Sequence, residues 1–135
     1  MRKTGLCSIF PAINKILLIC HLFIYLNNLY DINNMAIVHQ VYFWLKNPDK
    51  AEDQQALIDG LQKLRAIDTL TTFHVGKPAS TDRPVIDRSY HASLLCVFDD
   101  MEGHDIYQVH PLHLAFVKDC AALWEKVVIY DATDA

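Results

Sequence analysis

The chain has 135 residues, of which 52% are hydrophobic and 21% charged, and its formal net charge is −4. This length is typical of one domain with a core large enough to fold without disulfides. Residues 1–34 carry three basic side chains and one acidic one, whereas residues 35–135 carry nine basic and fifteen acidic ones. An acidic domain disfavours a surface that follows a phosphate backbone, so we expect no nucleic-acid partner.

Residues 1–34 differ in composition from the rest of the chain. Phe, Tyr, Met, Ile, Asn and Lys, which have A/T-rich codons, fill 18 of these 34 positions but only 23 of the remaining 101. We predict an extension outside the fold that results from a mis-assigned start, with Met35 as the natural first residue. A secretory signal is an alternative, because a basic start precedes the apolar residues 16–26, although no small-residue cleavage site follows. A membrane anchor is a further alternative, for which this apolar run is short. We therefore expect a cytoplasmic protein without a membrane partner, secreted only if residues 1–34 act as a signal.

The first half of the domain, which spans residues 35–135, predicts a strand followed by a helix. Residues 37–46 are rich in β-branched and aromatic side chains, and both faces of the predicted strand are apolar. Asn47 and Pro48 predict the start of the helix, as N-cap and first helical residue. The apolar stripe of this helix consists of Leu57, Leu61 and Leu64.

The second half of the domain predicts three more strands and a broken helix. Strands are expected at 70–77, 89–98 and 125–131, with a proline-containing loop between the first two. Asp99 and Glu102 have the spacing of a capping box, which predicts a short helix to about residue 108. His110 and Pro111 then cap and restart a helix that ends near residue 123. No spacing of the four cysteines indicates a zinc site or a disulfide framework, and Cys96 and Cys120 are expected to be buried thiols.

The order of the elements predicts an α+β, ferredoxin-like βαββαβ sandwich, in which one sheet carries its helices on one face. The other face also holds bulky apolar side chains that a single protomer leaves uncovered. Since soluble monomers rarely expose an apolar face of several hundred Å², we predict a homodimer in which two sheets form a barrel-like core.

Six of the seven histidines lie in the domain, and the most specific local pattern surrounds two of them. Tyr107, His110, Pro111, His113 and Phe116 form a Tyr-x-x-His-Pro-x-His-x-x-Phe segment at the break between two predicted helices. Histidine titrates near neutral pH, which suits it to proton transfer. A metal site of His110, His113 and a third histidine is an alternative. The segment offers no nearby carboxylate, so we expect no metal and no cofactor.

Three motifs together resemble the stress-responsive dimeric A/B barrel family (Dabb). They are His39 followed by Phe-Trp-Leu-Lys at 43–46, the segment from Tyr107 to Phe116, and Trp-Glu-Lys-x-x-x-Tyr-Asp at 124–131. The resemblance covers residues 36–132. It implies a dimeric ferredoxin-like barrel with an apolar pocket between sheet and helices.

The resemblance also implies candidate site residues. A plant branch of the family cyclises linear polyketides with histidine and tyrosine as acid–base groups, and the matching positions are His39, Tyr107 and His113. In that mechanism His113 removes a proton next to a carbonyl, and Tyr107 or His39 donates to the developing enolate oxygen. His110 and Phe116 are candidate ligand contacts in the same segment.

Three functions stay open at this stage, because a fold alone does not define chemistry. The leading interpretation is a homodimer that binds an apolar or weakly polar small molecule, without an assigned activity. The first alternative is a lyase or cyclase that transfers protons next to a carbonyl. The second is a stress-induced structural protein whose pocket has no catalytic role.

Overall fold

The computed structural model describes Leu22 and residues 35–135. The chain divides into two units, Met1–Asn33 and Asn34–Ala135, of which the second contains the fold described below. The three interpretations of residues 1–34, as a mis-assigned start, a secretory signal or a membrane anchor, fall outside the described residues. Within the described part, no helix is long and apolar enough to cross a membrane.

In residues 35–135, four antiparallel strands form one sheet that carries three α-helices on one face. The elements in chain order are β1 (Ile37–Leu45), α1 (Ala51–Lys63), β2 (Thr72–Gly76), β3 (Ala92–Phe98), α2 (Met101–Val109), α3 (Pro111–Cys120) and β4 (Trp124–Thr133). The spatial order β2-β3-β1-β4 places β1 and β3 in the middle of the sheet. The predicted ferredoxin-like arrangement is confirmed, with its second helix divided into α2 and α3.

Alternation along β1 divides the sheet into two different faces. The side chains that face the helices are at most 6% exposed, and they are Ile37, His39, Val41, Phe43 and Leu45. β3 repeats the same alternation. The opposite face carries half-buried and exposed side chains, and we call it the open face, defined by Val38, Tyr42, Trp44, Leu95, Val97, Val128 and Tyr130. The bulky apolar content predicted for this face is therefore present.

Helix α1 packs closely against α3. Its predicted apolar stripe is confirmed, because Leu57, Leu61 and Leu64 are fully buried. A Cβ atom built on Gly60 would lie 2.5 Å from the Cys120 Sγ atom, so the two helices approach each other at a residue without a side chain. Cys96 and Cys120 are free and buried, as expected.

The start of α1 differs from the prediction. The helix begins at Ala51 after Lys50, whose backbone is extended and whose side chain makes no capping hydrogen bond. Asn47 instead begins a turn, because its carbonyl accepts from the Lys50 N–H at 3.1 Å. The Asn47 amide donates to Asp53 Oδ2 at 3.0 Å, so its side chain binds a carboxylate in the first helical turn rather than a backbone N–H. The prediction of Asn47 as N-cap and Pro48 as first helical residue was wrong for this reason.

The start of α2 also differs, by one residue. Asp100, rather than Asp99, is the N-cap, and its Oδ1 accepts from the Gly103 N–H at 2.8 Å. Because glycine occupies the third helical position, the reciprocal side-chain bond of a capping box is absent from this helix start. The predicted box of Asp99 and Glu102 was therefore wrong.

The junction between α2 and α3 is confirmed. His110 Nδ1 accepts from the Leu112 N–H at 3.1 Å, and Pro111 is the first residue of α3. Proline tolerates this position because its missing N–H would have no partner there. The break fixes where one helix of the site ends and the next begins.

Candidate functional site

A cavity of about 220 Å³ lies between the helices and the side of the sheet formed by β1 and β4. Its walls are mostly apolar, and its polar side chains come from His39, Tyr107, Gln108 and His113. The apolar lining residues are Val41, Phe43, Leu94, Phe116, Val117, Trp124, Val127 and Ile129. A concave apolar space with a few convergent polar groups is the usual form of a small-molecule site.

His39 lies in the middle of β1 and is 3% exposed. Asp131 is its register partner on β4, and Asp131 Oδ1 lies 2.6 Å from His39 Nδ1. A carboxylate accepts hydrogen bonds, so Nδ1 carries the proton and Nε2 of the neutral ring has a free lone pair. The side chain of Asp131 is 50% exposed, which places this end of the site next to solvent.

Tyr107, in the last turns of α2, is fully buried. Its ring centroid lies 4.7 Å from that of His113 and 5.9 Å from that of His39. Within the described part of the chain, the hydroxyl has no hydrogen-bond partner of good geometry, and the polar group beside it is the weakly hydrogen-bonding Cys96 thiol. Burial raises the pKa of Tyr107 well above its ordinary value, and the neighbouring Cys96 raises it further. The hydroxyl therefore stays protonated at neutral pH and can act as a donor.

His113 lies in the first turn of α3 and is half-buried. Its Nδ1 lies 3.0 Å from the carbonyl oxygen of Gln108, which can only accept, so Nδ1 donates and Nε2 is unprotonated in the neutral ring. Burial lowers the pKa of His113, the Gln108 carbonyl opposes this effect, and the charges of His39 and His104 lower the pKa further. A neutral imidazole at neutral pH can act as a base.

The structure brings most of the predicted site residues together. His39, Tyr107, His113 and Phe116 line the same cavity. His110 does not line the cavity, because its Nδ1 is the cap of α3. The structure thus does not bring His110 to the position of a ligand contact, nor does it place His110 and His113 around one common metal position among the described residues.

Sequence reasoning missed three residues of the site. Asp131 is opposite His39 only because β4 pairs with β1, which is a contact between distant segments. Trp124 stacks on Phe116, with ring centroids 5.8 Å apart, at the apolar end of the cavity. His104 lies one helical turn before Tyr107, and this spacing of three residues was a signal that could have identified it.

His104 adds a third imidazole beside the cavity. Its ring centroid is 5.6 Å from that of His39. One potential ligand atom from each of His39, His104 and Asp131 lies within 4.8 Å of the other two. Two imidazoles and a carboxylate at this spacing can hold a metal ion.

The sheet, the helix arrangement and the cavity define a ferredoxin-like α+β protein with an apolar cavity between its two layers. The stress responsive A/B barrel domain model (Dabb) matches residues 37–134. The chain therefore belongs to the Dabb family, as its three motifs indicated. No curated protein matches the chain.

Solved structures with the same fold come from bacteria and from a plant. A Dabb protein of Mesorhizobium loti is 30% identical, and the match covers 75% of this chain and 98% of that one with a TM-score of 0.62. A dimeric ferredoxin-like protein of unknown function from Thermobifida fusca is 24% identical. The match covers 75% of this chain and 92% of that one, with a TM-score of 0.62. The hydroxynitrile lyase of Passiflora edulis is 17% identical. The match covers 76% of this chain and 95% of that one, also with a TM-score of 0.62. The last two similarities show the fold alone.

Proposed function

We propose that the protein is a homodimer in which two open faces pack against each other. The apolar side chains of this face support the proposal, because large exposed apolar patches mark interaction surfaces. The Thermobifida fusca protein is described as dimeric, and it shares the fold.

A matched pair of substitutions tests the dimer. Val128 lies on the open face and is half-buried, whereas Val109 at the end of α2 is 70% exposed. We expect Val128→Glu to yield monomers at micromolar concentration in sedimentation velocity, and Val109→Glu to leave the mass unchanged. A wild-type protein that sediments as a monomer would contradict the proposal.

We propose that the cavity binds a small, mostly apolar molecule that carries one or two polar groups. The observation that supports this most directly is the apolar lining with imidazoles and a phenol on one side. The volume of about 220 Å³ is somewhat below the usual range for drug-sized ligands. It exceeds the roughly 150 Å³ of an engineered cavity that holds benzene. A compound the size of acetophenone is therefore a suitable probe.

Binding can be tested without knowledge of the natural ligand. Native mass spectrometry of the full chain from its own host would reveal a retained metabolite, and ligand-detected NMR with acetophenone and related compounds would reveal cavity binding. Val127 lines the cavity, so we expect Val127→Phe to weaken binding about tenfold or more, which corresponds to about 1.4 kcal/mol. Val109→Phe makes the same change outside the cavity and serves as control. Equal binding by both variants would place the probes elsewhere.

The protonation states of the site favour a second function, which is proton transfer next to a carbonyl. In this proposal His113 Nε2 removes the α-proton, and the electron pair moves onto the carbonyl oxygen. The Tyr107 hydroxyl donates a hydrogen bond to that oxygen, and the protonated His113 returns the proton to the α-carbon in a later step. The lowered pKa of His113 supports the role of base. The name of the Passiflora edulis protein indicates that a lyase can be built on this fold.

Hydrogen–deuterium exchange at the α-carbon of acetophenone or a diketide analogue tests the chemistry separately from binding. Positioned acid–base groups contribute about 10²–10⁴-fold. We expect His113→Gln to reduce the exchange rate by a factor in this range, while His74→Gln, at an exposed histidine outside the cavity, has no effect. Wild-type exchange at the solvent rate, together with demonstrated binding, would reject catalysis and retain the binding function.

A further inference from the structure

We propose that His39, His104 and Asp131 form a binding site for a divalent transition-metal cation at the solvent side of the cavity. Their potential ligand atoms lie within 4.8 Å of one another. Two imidazoles and one carboxylate suit Zn²⁺ and its first-row neighbours, whereas Mg²⁺ and Ca²⁺ prefer oxygen ligands alone. This site is distinct from the acid–base function proposed for His113 and does not depend on it.

The three side chains converge from three separate elements. His39 belongs to β1, Asp131 is opposite it on β4, and His104 extends from α2. Exposure increases across the group: His39 is 3% exposed, and the side chains of His104 and Asp131 are 13% and 50% exposed. The group thus combines a rigid buried ligand with a solvent-facing one, which gives a cation a path of entry.

Each imidazole can present one ring nitrogen to a metal, and His39 presents Nδ1 once its proton moves to Nε2. Within the described residues, His39 Nε2 has no hydrogen-bond partner, since only Nδ1 is bonded. His104 Nε2 lies 3.1 Å from the Gln108 amide nitrogen, and His104 Nδ1 lies 3.3 Å from the Asp105 carboxylate, which is 72% exposed. The contact with Asp105 is long and exposed, so water can replace it, whereas the contact with Gln108 is shorter and partly buried.

The distances match a site before metal binding. Zinc bonds to nitrogen and oxygen are about 2.0–2.2 Å long, which separates ligand atoms by roughly 3.3–3.6 Å in a tetrahedral site. The 2.6 Å contact between His39 and Asp131 must therefore open by about 0.7–1.0 Å, and His104, whose ligand atom lies within 4.8 Å of the other two, must approach by at most about 1.5 Å. Rotation of the two partly exposed side chains supplies both movements. The cation takes the place of the proton between His39 and Asp131, and the imidazole stays neutral because its proton moves from Nδ1 to Nε2. A fourth position stays open for water.

The test uses the full chain and Zn²⁺ as the probe, titrated by calorimetry and by competition with a chromophoric chelator. We expect one Zn²⁺ per protomer. Loss of an outer-shell group costs about 10–100-fold in metal affinity, so loss of a direct ligand in His104→Leu or Asp131→Asn should cost roughly 100-fold or more. Asp105→Asn removes the neighbouring exposed carboxylate and is the matched control, with affinity expected to stay near wild type.

A spectroscopic readout distinguishes this site from adventitious surface binding. Bound Co²⁺ should give the visible absorption of a four- or five-coordinate ion, and His104→Leu should abolish this absorption while circular dichroism shows an intact fold. Equal Zn²⁺ affinity of wild type and His104→Leu, or no Zn²⁺ binding by wild type, would overturn the proposal. His104 does not line the cavity, so acetophenone binding does not require it. A result that rejects the metal site therefore leaves the proposal of cavity binding unaffected.

Discussion

Replacement of Tyr107 by phenylalanine should stabilise the protein while it impairs the site. The Tyr107 side chain is fully buried, and among the described residues its hydroxyl has no hydrogen-bond partner of good geometry, with only the weakly hydrogen-bonding Cys96 thiol beside it. A buried unsatisfied polar group costs about 1–3 kcal/mol. Phenylalanine keeps the ring contacts with Phe98 and His113, so Tyr107→Phe should recover much of this free energy. In a domain of this size, 1 kcal/mol shifts Tm by about 4–8 °C.

The assay is urea denaturation followed by circular dichroism, together with calorimetric Tm, at one fixed protein concentration. Tyr42→Phe is the control, because the Tyr42 hydroxyl donates to Gln40 Oε1 at 3.1 Å. Loss of that satisfied bond should lower the free energy of unfolding by about 0.5–1.5 kcal/mol. If Tyr107→Phe is destabilising to the same degree, the Tyr107 hydroxyl is satisfied in the folded protein and the reasoning fails. In the proposed proton transfer, the same variant should slow α-proton exchange, since it removes the donor to the enolate.

Three further predictions follow from the helix contacts and from His113. Gly60→Ala should destabilise the fold, because overpacking against Cys120 costs about 1–3 kcal/mol, whereas the higher helix propensity of alanine offsets only about 1 kcal/mol. Urea denaturation measures the resulting change in the free energy of unfolding. Asp100→Ala removes an N-cap and should lower the free energy of unfolding by about 0.5–2 kcal/mol. Asp99→Ala should change it by about 0.5 kcal/mol or less. Equal losses in the two variants would show that Asp100 is not the cap. Because the pKa of His113 is lowered in the folded protein, its contribution to stability is present above the ordinary histidine pKa of about 6.5 and is lost as the pH falls through the folded value. The loss of stability between about pH 7 and pH 5 should therefore be smaller in His113→Gln than in wild type, as measured by denaturation at each pH.

The sequence predicted the fold well wherever a local pattern determined it. The alternation along 37–46 and the leucine stripe of α1 are periodic signals that depend on neighbouring residues alone. The junction at His110 and Pro111 was predictable for the same reason. The start of α1 was not, because the Asn47 side chain binds Asp53 rather than the backbone, and only the packed turn determines which bond forms.

The candidate site was predictable in part. The family motifs indicated His39, Tyr107 and His113, and the structure places these three around one cavity. Asp131 was hidden because its relation to His39 depends on the register of two strands 92 positions apart in sequence. The spacing of His104 and Tyr107 is visible in the sequence. The proximity of His104 to His39 is not, because it depends on how α2 packs against β1.

Strand β4 contributes to two surfaces with alternate residues. Val127 and Ile129 form part of the cavity wall, whereas Val128 and Tyr130 belong to the open face. In the proposed homodimer, substitutions at the first pair therefore reshape the cavity while the interface between open faces is preserved, and substitutions at the second pair do the reverse. Under the proposed function, this ten-residue strand allows ligand preference and self-association to diverge independently during evolution.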